Sequence, residues 1–126
     1  MADEPPRVLV VEDDELVRRG VARALRIAGY HVESVGCGSD ALALAREGAR
    51  FDVLLTDLTM PDMSGIDVAK QLAELGCARS VLIMSGHLPP EVDLDSANAA
   101  GWLCKPFVVG TLVARINEAL AHAEGS

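Results

Sequence analysis

Short, nearly continuous apolar runs alternate along this chain with longer stretches whose apolar residues recur every three or four positions. The runs are Val8-Leu9-Val10-Val11, the alternating His31-Val32-Glu33-Ser34-Val35, Phe51-Asp52-Val53-Leu54-Leu55-Thr56, Val81-Leu82-Ile83-Met84 and Trp102-Leu103-Cys104. Each reads as a strand, and the periodic stretches between them read as helices. After Asp14, one helical face collects Val17, Val21, Ala24, Leu25 and Ala28, with Gly29 as the stop. Ser39 is positioned to cap a second helix carrying Ala41, Leu42 and Ala45, which closes near Gly48. Ser64-Gly65-Ile66-Asp67 has the form of a capping box, leading a third helix that buries Val68, Leu72 and Leu75 and stops at Gly76. Beyond Pro89-Pro90 the apolar pattern is weak, but strict alternation places a fourth helix over Glu91 to Ala100. The last helix carries Leu112, Val113, Ile116, Ala119 and Leu120 and frays into Glu124-Gly125-Ser126. Five strands alternating with five helices predict a doubly wound α/β fold with one five-stranded parallel sheet.

The chain ends of these strands carry the chemistry. The first run ends in Glu12-Asp13-Asp14, the third in Asp57, the fourth in Ser85 and the fifth in Lys105-Pro106. In open parallel sheets ligands bind at the carboxyl edge of the strands, so these groups share one rim. Glu12, Asp13 and Asp57 converge where the first and third strands lie side by side. Carboxylates packed together need a counter-charge, and a hard divalent cation supplies it. Mg²⁺ suits a site with few carboxylates and several waters. Lys105 adds an ammonium and Ser85 a hydroxyl donor, the parts that hold the oxygens of a transferring phosphoryl group. A carboxylate among them can act as nucleophile and form an acyl phosphate.

Composition narrows the alternatives. At 126 residues the chain has the size of a single domain, residues 7–123, after an acidic, Pro-bearing tail or linker remnant at 1–6. That start is unlike a signal peptide, and no apolar run approaches the roughly 18 residues needed to cross a bilayer, so a cytoplasmic protein without a membrane contact is expected. Cys37, Cys77 and Cys104 lack paired spacing and read as reduced core thiols. Eleven basic against nineteen acidic residues, a formal charge of −8, argue against nucleic-acid binding by this domain alone. One Trp, one Tyr and two Phe leave no stacking platform for single strands.

Val-Val-Glu-Asp-Asp, Thr-Asp-Leu-Thr-Met-Pro-Asp-Met-Ser-Gly, Ile-Met-Ser-Gly and Cys-Lys-Pro-Phe occur in that order, each at the end of a predicted strand. Together they closely resemble the receiver domains of two-component response regulators, over residues 7 to 121. The resemblance implies a flavodoxin-like (βα)5 receiver fold with Asp57 as phosphoacceptor for a histidine kinase or phosphotransfer protein. It implies an acidic pair in which Asp13 binds Mg²⁺ directly and Glu12 acts through water, with the Thr59 backbone carbonyl as a further ligand. Ser85 and Lys105 would bind the phosphoryl group, the Lys105-Pro106 bond would be cis, and Trp102 would stand at the position of the family's switching aromatic. It allows a homodimer on phosphorylation.

The departures are Glu12 for the commoner Asp, Ser85 for a frequent Thr, Trp102 for Tyr or Phe, and a slightly short segment from Ser85 to Lys105. Taken singly, the same residues have plainer readings: Asp57 as a turn residue, Asp14 as a helix start, Ser85 as a turn hydroxyl, Lys105 as a surface lysine and His87 as an exposed loop residue. Arg19, Arg23 and Arg26 share a face of the first helix, where receivers commonly meet the kinase, although a solvated basic face is the better reading.

Other functional classes fit less well. A haloacid-dehalogenase-like aspartyl phosphatase needs a second Asp two residues after the nucleophile, where this chain has Thr59. A flavodoxin-like electron carrier needs a phosphate-cradling first loop, which Glu12-Asp13-Asp14 would repel. A degenerate receiver serving as a scaffold is disfavoured because every phosphorylation group is present. The expected activity is that of a signalling module rather than a turnover enzyme, either free-standing or as the receiver of a longer chain such as a hybrid histidine kinase.

Overall fold

The computed structural model describes residues 4–97 and 99–124, without the side chains of Ser96 and Glu124. Residues 1–3 of the expected tail and the expected fraying at Gly125-Ser126 lie outside the described residues. Five strands form one parallel sheet in the order β2-β1-β3-β4-β5. They are β1 (Arg7–Val11), β2 (His31–Val35), β3 (Phe51–Asp57), β4 (Ala78–Ser85) and β5 (Ala99–Cys104). Among the described residues there are four α-helices: α1 (Glu15–Ile27), α2 (Gly38–Arg46), α3 (Gly65–Glu74) and α4 (Val109–Glu124).

The central strands are apolar on both faces because both faces are covered. Leu9, Val11, Leu54 and Ile83 pack with Leu42, Val68 and Leu72 under α2 and α3. Val8, Val10, Leu55, Leu82 and Met84 pack with Val21, Leu25, Leu112 and Ile116 under α1 and α4. Alternation along each strand thus sends neighbouring residues to opposite layers. The helices end where the sequence stops them, at Gly29 and Gly76, both with left-handed φ (+103° and +66°).

Four expectations are corrected. The described residues of Glu91 to Ala100 do not form the expected fourth helix. Among the described residues of that segment there is one 3-10 turn, Asp95–Ala97, and Asn98 lies outside them. The reason is that Val92 and Leu94, two positions apart and therefore on opposite sides of a helix, both pack against the core on the α3 side. A turn (Val92 N–H to the Pro89 carbonyl, 3.0 Å) and the Asp93 carboxylate accepting from Asp95 N–H (3.0 Å) satisfy the backbone instead. Ser39 does not cap α2; the capping position is Cys37, which makes no side-chain bond there. Leu75 is 39% exposed because it is the C-terminal cap of α3, one residue past the helix's end at Glu74. Of the thiols only Cys77 is buried; Cys37 is half-buried, and Cys104 is exposed because it lies on the outer face of edge strand β5.

Candidate functional site

Strand β1 delivers Glu12 to the rim. Its N–H donates to the Val35 carbonyl (3.1 Å), extending the ladder one residue past the strand and turning the side chain inward to 1% exposure. Asp13 is exposed beside it. Asp14 serves as the cap of α1, its carboxylate accepting from Leu16 and Val17 N–H (3.0 and 3.2 Å). Asp57 closes β3 with 8% exposure. Its carbonyl accepts from the Thr56 hydroxyl (3.0 Å), and the chain then folds back so tightly that a Cβ on Gly65 would lie 2.1 Å from that oxygen. Only glycine fits there.

The three carboxylates meet at this rim. One oxygen each from Glu12, Asp13 and Asp57 lie within 4.8 Å of one another. Lys105 enters from the end of β5, after which the peptide bond to Pro106 is cis. Its ammonium lies 2.5 Å from Glu12 Oε1 and 3.4 Å from Asp57 Oδ1. Glu12 Oε2 accepts from Asp14 N–H (3.2 Å). Burial raises the Glu12 carboxyl above its ordinary value, against the opposing pull of Lys105 and the Asp14 N–H. Burial works against the Lys105 charge, but the Glu12 hydrogen bond and the Asp57 charge outweigh it and hold the ammonium above its ordinary value.

Three clustered carboxylates, two of them paired with one ammonium, leave an excess of negative charge that a divalent cation would balance, with an all-oxygen donor set suited to Mg²⁺. Thr59, two residues beyond Asp57, is exposed on the adjoining loop.

Ser85 ends β4 but its hydroxyl is turned to its own loop, donating to the His87 carbonyl (2.5 Å) and accepting from His87 N–H (3.1 Å). The Ser85 carbonyl accepts from Lys105 N–H (2.9 Å) and from the indole N–H of Trp102 (3.1 Å), which is half-buried. Trp102 is thereby bonded directly to the end of the strand that carries Ser85.

Arg18 was not singled out by sequence pattern. Its guanidinium donates to the Glu12 carbonyl (2.9 Å) and lies where a Cβ on Gly36 would be 2.9 Å away. No local signal marks it, since its partner is a backbone atom six residues back. Arg19, Arg23 and Arg26 are exposed, and Arg26 also donates to the Val32 carbonyl (3.0 Å). Beside Lys105 an apolar groove of about 500 Å³ runs between α1 and α4, lined by Leu16, Val17, Val21, Phe107, Val109 and Leu112.

The response regulator receiver domain model matches residues 8–117. The chain belongs to that family. Among relatives, it is 35% identical over 119 residues to the response regulator receiver protein CpdR of Brucella abortus, covering 93% of this chain and 98% of that protein. It is 37% identical to the transcriptional regulatory protein PrrA of Mycobacterium tuberculosis, covering 96% of this chain but spanning about half (52%) of PrrA. Among solved structures, the chemotaxis protein CheY4 of Vibrio cholerae superposes with a TM-score of 0.84 at 34% identity, over 92% of this chain and 99% of that one. Receiver domains generally bind Mg²⁺ through acidic residues and interact with histidine kinases or phosphotransfer proteins, and this receiver has an acidic cluster at the corresponding rim. No helix among the described residues is long and apolar enough to cross a membrane.

Proposed function

We propose that this receiver takes a phosphoryl group from a histidine kinase or phosphotransfer protein onto Asp57 and signals by a change of conformation, as a cytoplasmic module rather than a turnover enzyme. The observation that carries this reading is the Asp57 carboxylate, buried at the end of β3, 3.4 Å from the Lys105 ammonium and clustered with Glu12 and Asp13. Asp13, Asp57 and the Thr59 carbonyl would hold Mg²⁺, with Glu12 acting through water; when bound, the ion neutralises charge on the phosphoryl oxygens.

The chain's own residues do the rest. An Asp57 carboxylate oxygen attacks phosphorus, the P–N bond to the donor imidazole breaks, and that nitrogen leaves with the electron pair. Lys105, already poised between Glu12 and Asp57, pairs with a phosphoryl oxygen. Ser85 exchanges its bonds to His87 for a phosphoryl oxygen, and the movement reaches Trp102 through the Ser85 carbonyl. The groove between α1 and α4 opens beside Lys105, so an amphipathic partner helix seated there would bring its histidine close to Asp57.

Acetyl phosphate with Mg²⁺ should add one alkali-labile phosphate by intact-mass spectrometry, and chelation or Asp57→Asn should abolish it. Equal labelling of the variant would overturn the assignment.

A further inference from the structure

Helix α2 lacks a side-chain cap of its own, because Cys37 makes no such bond. The cap comes from the loop that follows Asp57. Asp62 accepts from the N–H groups of Gly38 (Oδ1, 3.2 Å) and Ser39 (Oδ2, 2.9 Å), so both of its oxygens are used. The next residue, Met63, lies over Gly38 so closely that a Cβ there would fall 2.4 Å from Met63 Cγ and 2.5 Å from Sδ. The loop between Asp57 and α3 is therefore fastened at three places. Leu58 N–H donates to the Met84 carbonyl and Gly65 N–H to the Leu58 carbonyl at its root, Met60 is buried at its middle, and Asp62 with Met63 grips a neighbouring helix.

Resting on the receiver reading above, we infer that Asp62 is a positioning residue for the phosphoacceptor site: by clamping its loop to the N-terminus of α2, it fixes the segment that presents Thr59 toward the cation. The backbone N–H bonds hold the Asp62 carboxyl below its ordinary value, so the clamp stays charged at neutral pH. A loop residue used as a ligand contributes most when its backbone is already in place, because ordering it on binding costs entropy. An alternative with no functional content is a borrowed helix cap alone, which would affect α2 and leave cation binding untouched.

Calorimetric Mg²⁺ titration of the wild type, Asp62→Asn, Asp62→Ala and Asp67→Asn separates the two, with circular dichroism confirming that each is folded. Supporting partners of metal ligands change affinity by about tenfold or more when removed, so Asp62→Ala should weaken Mg²⁺ binding about tenfold and Asp62→Asn, which keeps one acceptor, about threefold. Asp67→Asn removes an exposed carboxylate from the first turn of α3 and should leave affinity unchanged. If Asp62→Ala does not fold, the Asn variant decides. Wild-type affinity in the Asp62 variants, or an equal loss in Asp67→Asn, would overturn the inference while leaving the receiver reading intact. A wild type that takes up no Mg²⁺ would remove both.

Discussion

Replacing Lys105 by Met should destabilise the domain in a pH-dependent manner, because it leaves Glu12 without its ammonium. Glu12 is 1% exposed and receives the Lys105 Nζ at 2.5 Å. Removing one partner of a fully buried ion pair costs about 3–5 kcal/mol. The Lys105 side chain keeps 26% of its exposure, so solvent screens part of the interaction and about 2–3 kcal/mol is expected. The direction with pH follows from Glu12. Its folded carboxyl is raised above 4.5 chiefly by burial, so the protonated form is favoured in the fold. Its contribution is full below 4.5 and declines as pH rises through the raised value. Losing the Lys105 bond raises that value further, and each added unit deepens the loss at neutral pH by about 1.4 kcal/mol. Lys105 itself is held above 10.5, so its own contribution is intact below that pH and lost only as pH rises through its folded value. Urea unfolding without Mg²⁺ should therefore show the variant about 2–3 kcal/mol less stable at pH 8 and within about 1 kcal/mol of the wild type at pH 5. Mg²⁺ should restore part of the difference at pH 8. Equal midpoints at pH 8, or a deficit independent of pH, would refute the reasoning, the latter reducing Lys105 to a packed stem.

Gly65→Ala forces a Cβ to within 2.1 Å of the Asp57 carbonyl and should cost about 3 kcal/mol in thermal unfolding; unchanged melting would show that the loop yields freely. Ser80, wholly buried on β4, has a hydroxyl with no hydrogen-bond partner among the described residues. Ser80→Ala should therefore stabilise the domain by about 1 kcal/mol in urea, and a loss of stability would point to a bond the hydroxyl makes. Beryllofluoride with Mg²⁺, standing in for the phosphoryl group, should change the emission of the lone Trp102 in the wild type and much less in Ser85→Ala. Unchanged emission despite bound beryllofluoride would make Trp102 a static residue.

The rim was legible because each strand announces its own end. Apolar runs stop abruptly at Glu12, Asp57, Ser85 and Lys105, and parallel pairing of β1, β3, β4 and β5 necessarily brings those ends together. What the local pattern could not show is bonding between distant backbone and side chain. Asp62 caps α2 across 23 and 24 residues, so Ser39, the nearest capping type, was the natural but incorrect choice. Arg18 is silent although its partner is near in sequence, because that partner is a backbone carbonyl, which no side-chain pattern marks. The missing helix has a readable warning in Pro89-Pro90 and in the two-residue spacing of Val92 and Leu94, but strict alternation of strands and helices outweighs it. The turned-in Ser85 hydroxyl depends on a loop conformation that composition does not encode.

The most direct test of the central claim is to locate the acyl phosphate. After phosphorylation with acetyl phosphate and Mg²⁺, borohydride reduction converts a phosphorylated aspartate to homoserine, which peptide mass spectrometry assigns to a position. Homoserine at residue 57 alone is the predicted result. Homoserine at residue 13 or 62, or none at 57 in protein that has gained a phosphate, would contradict the account.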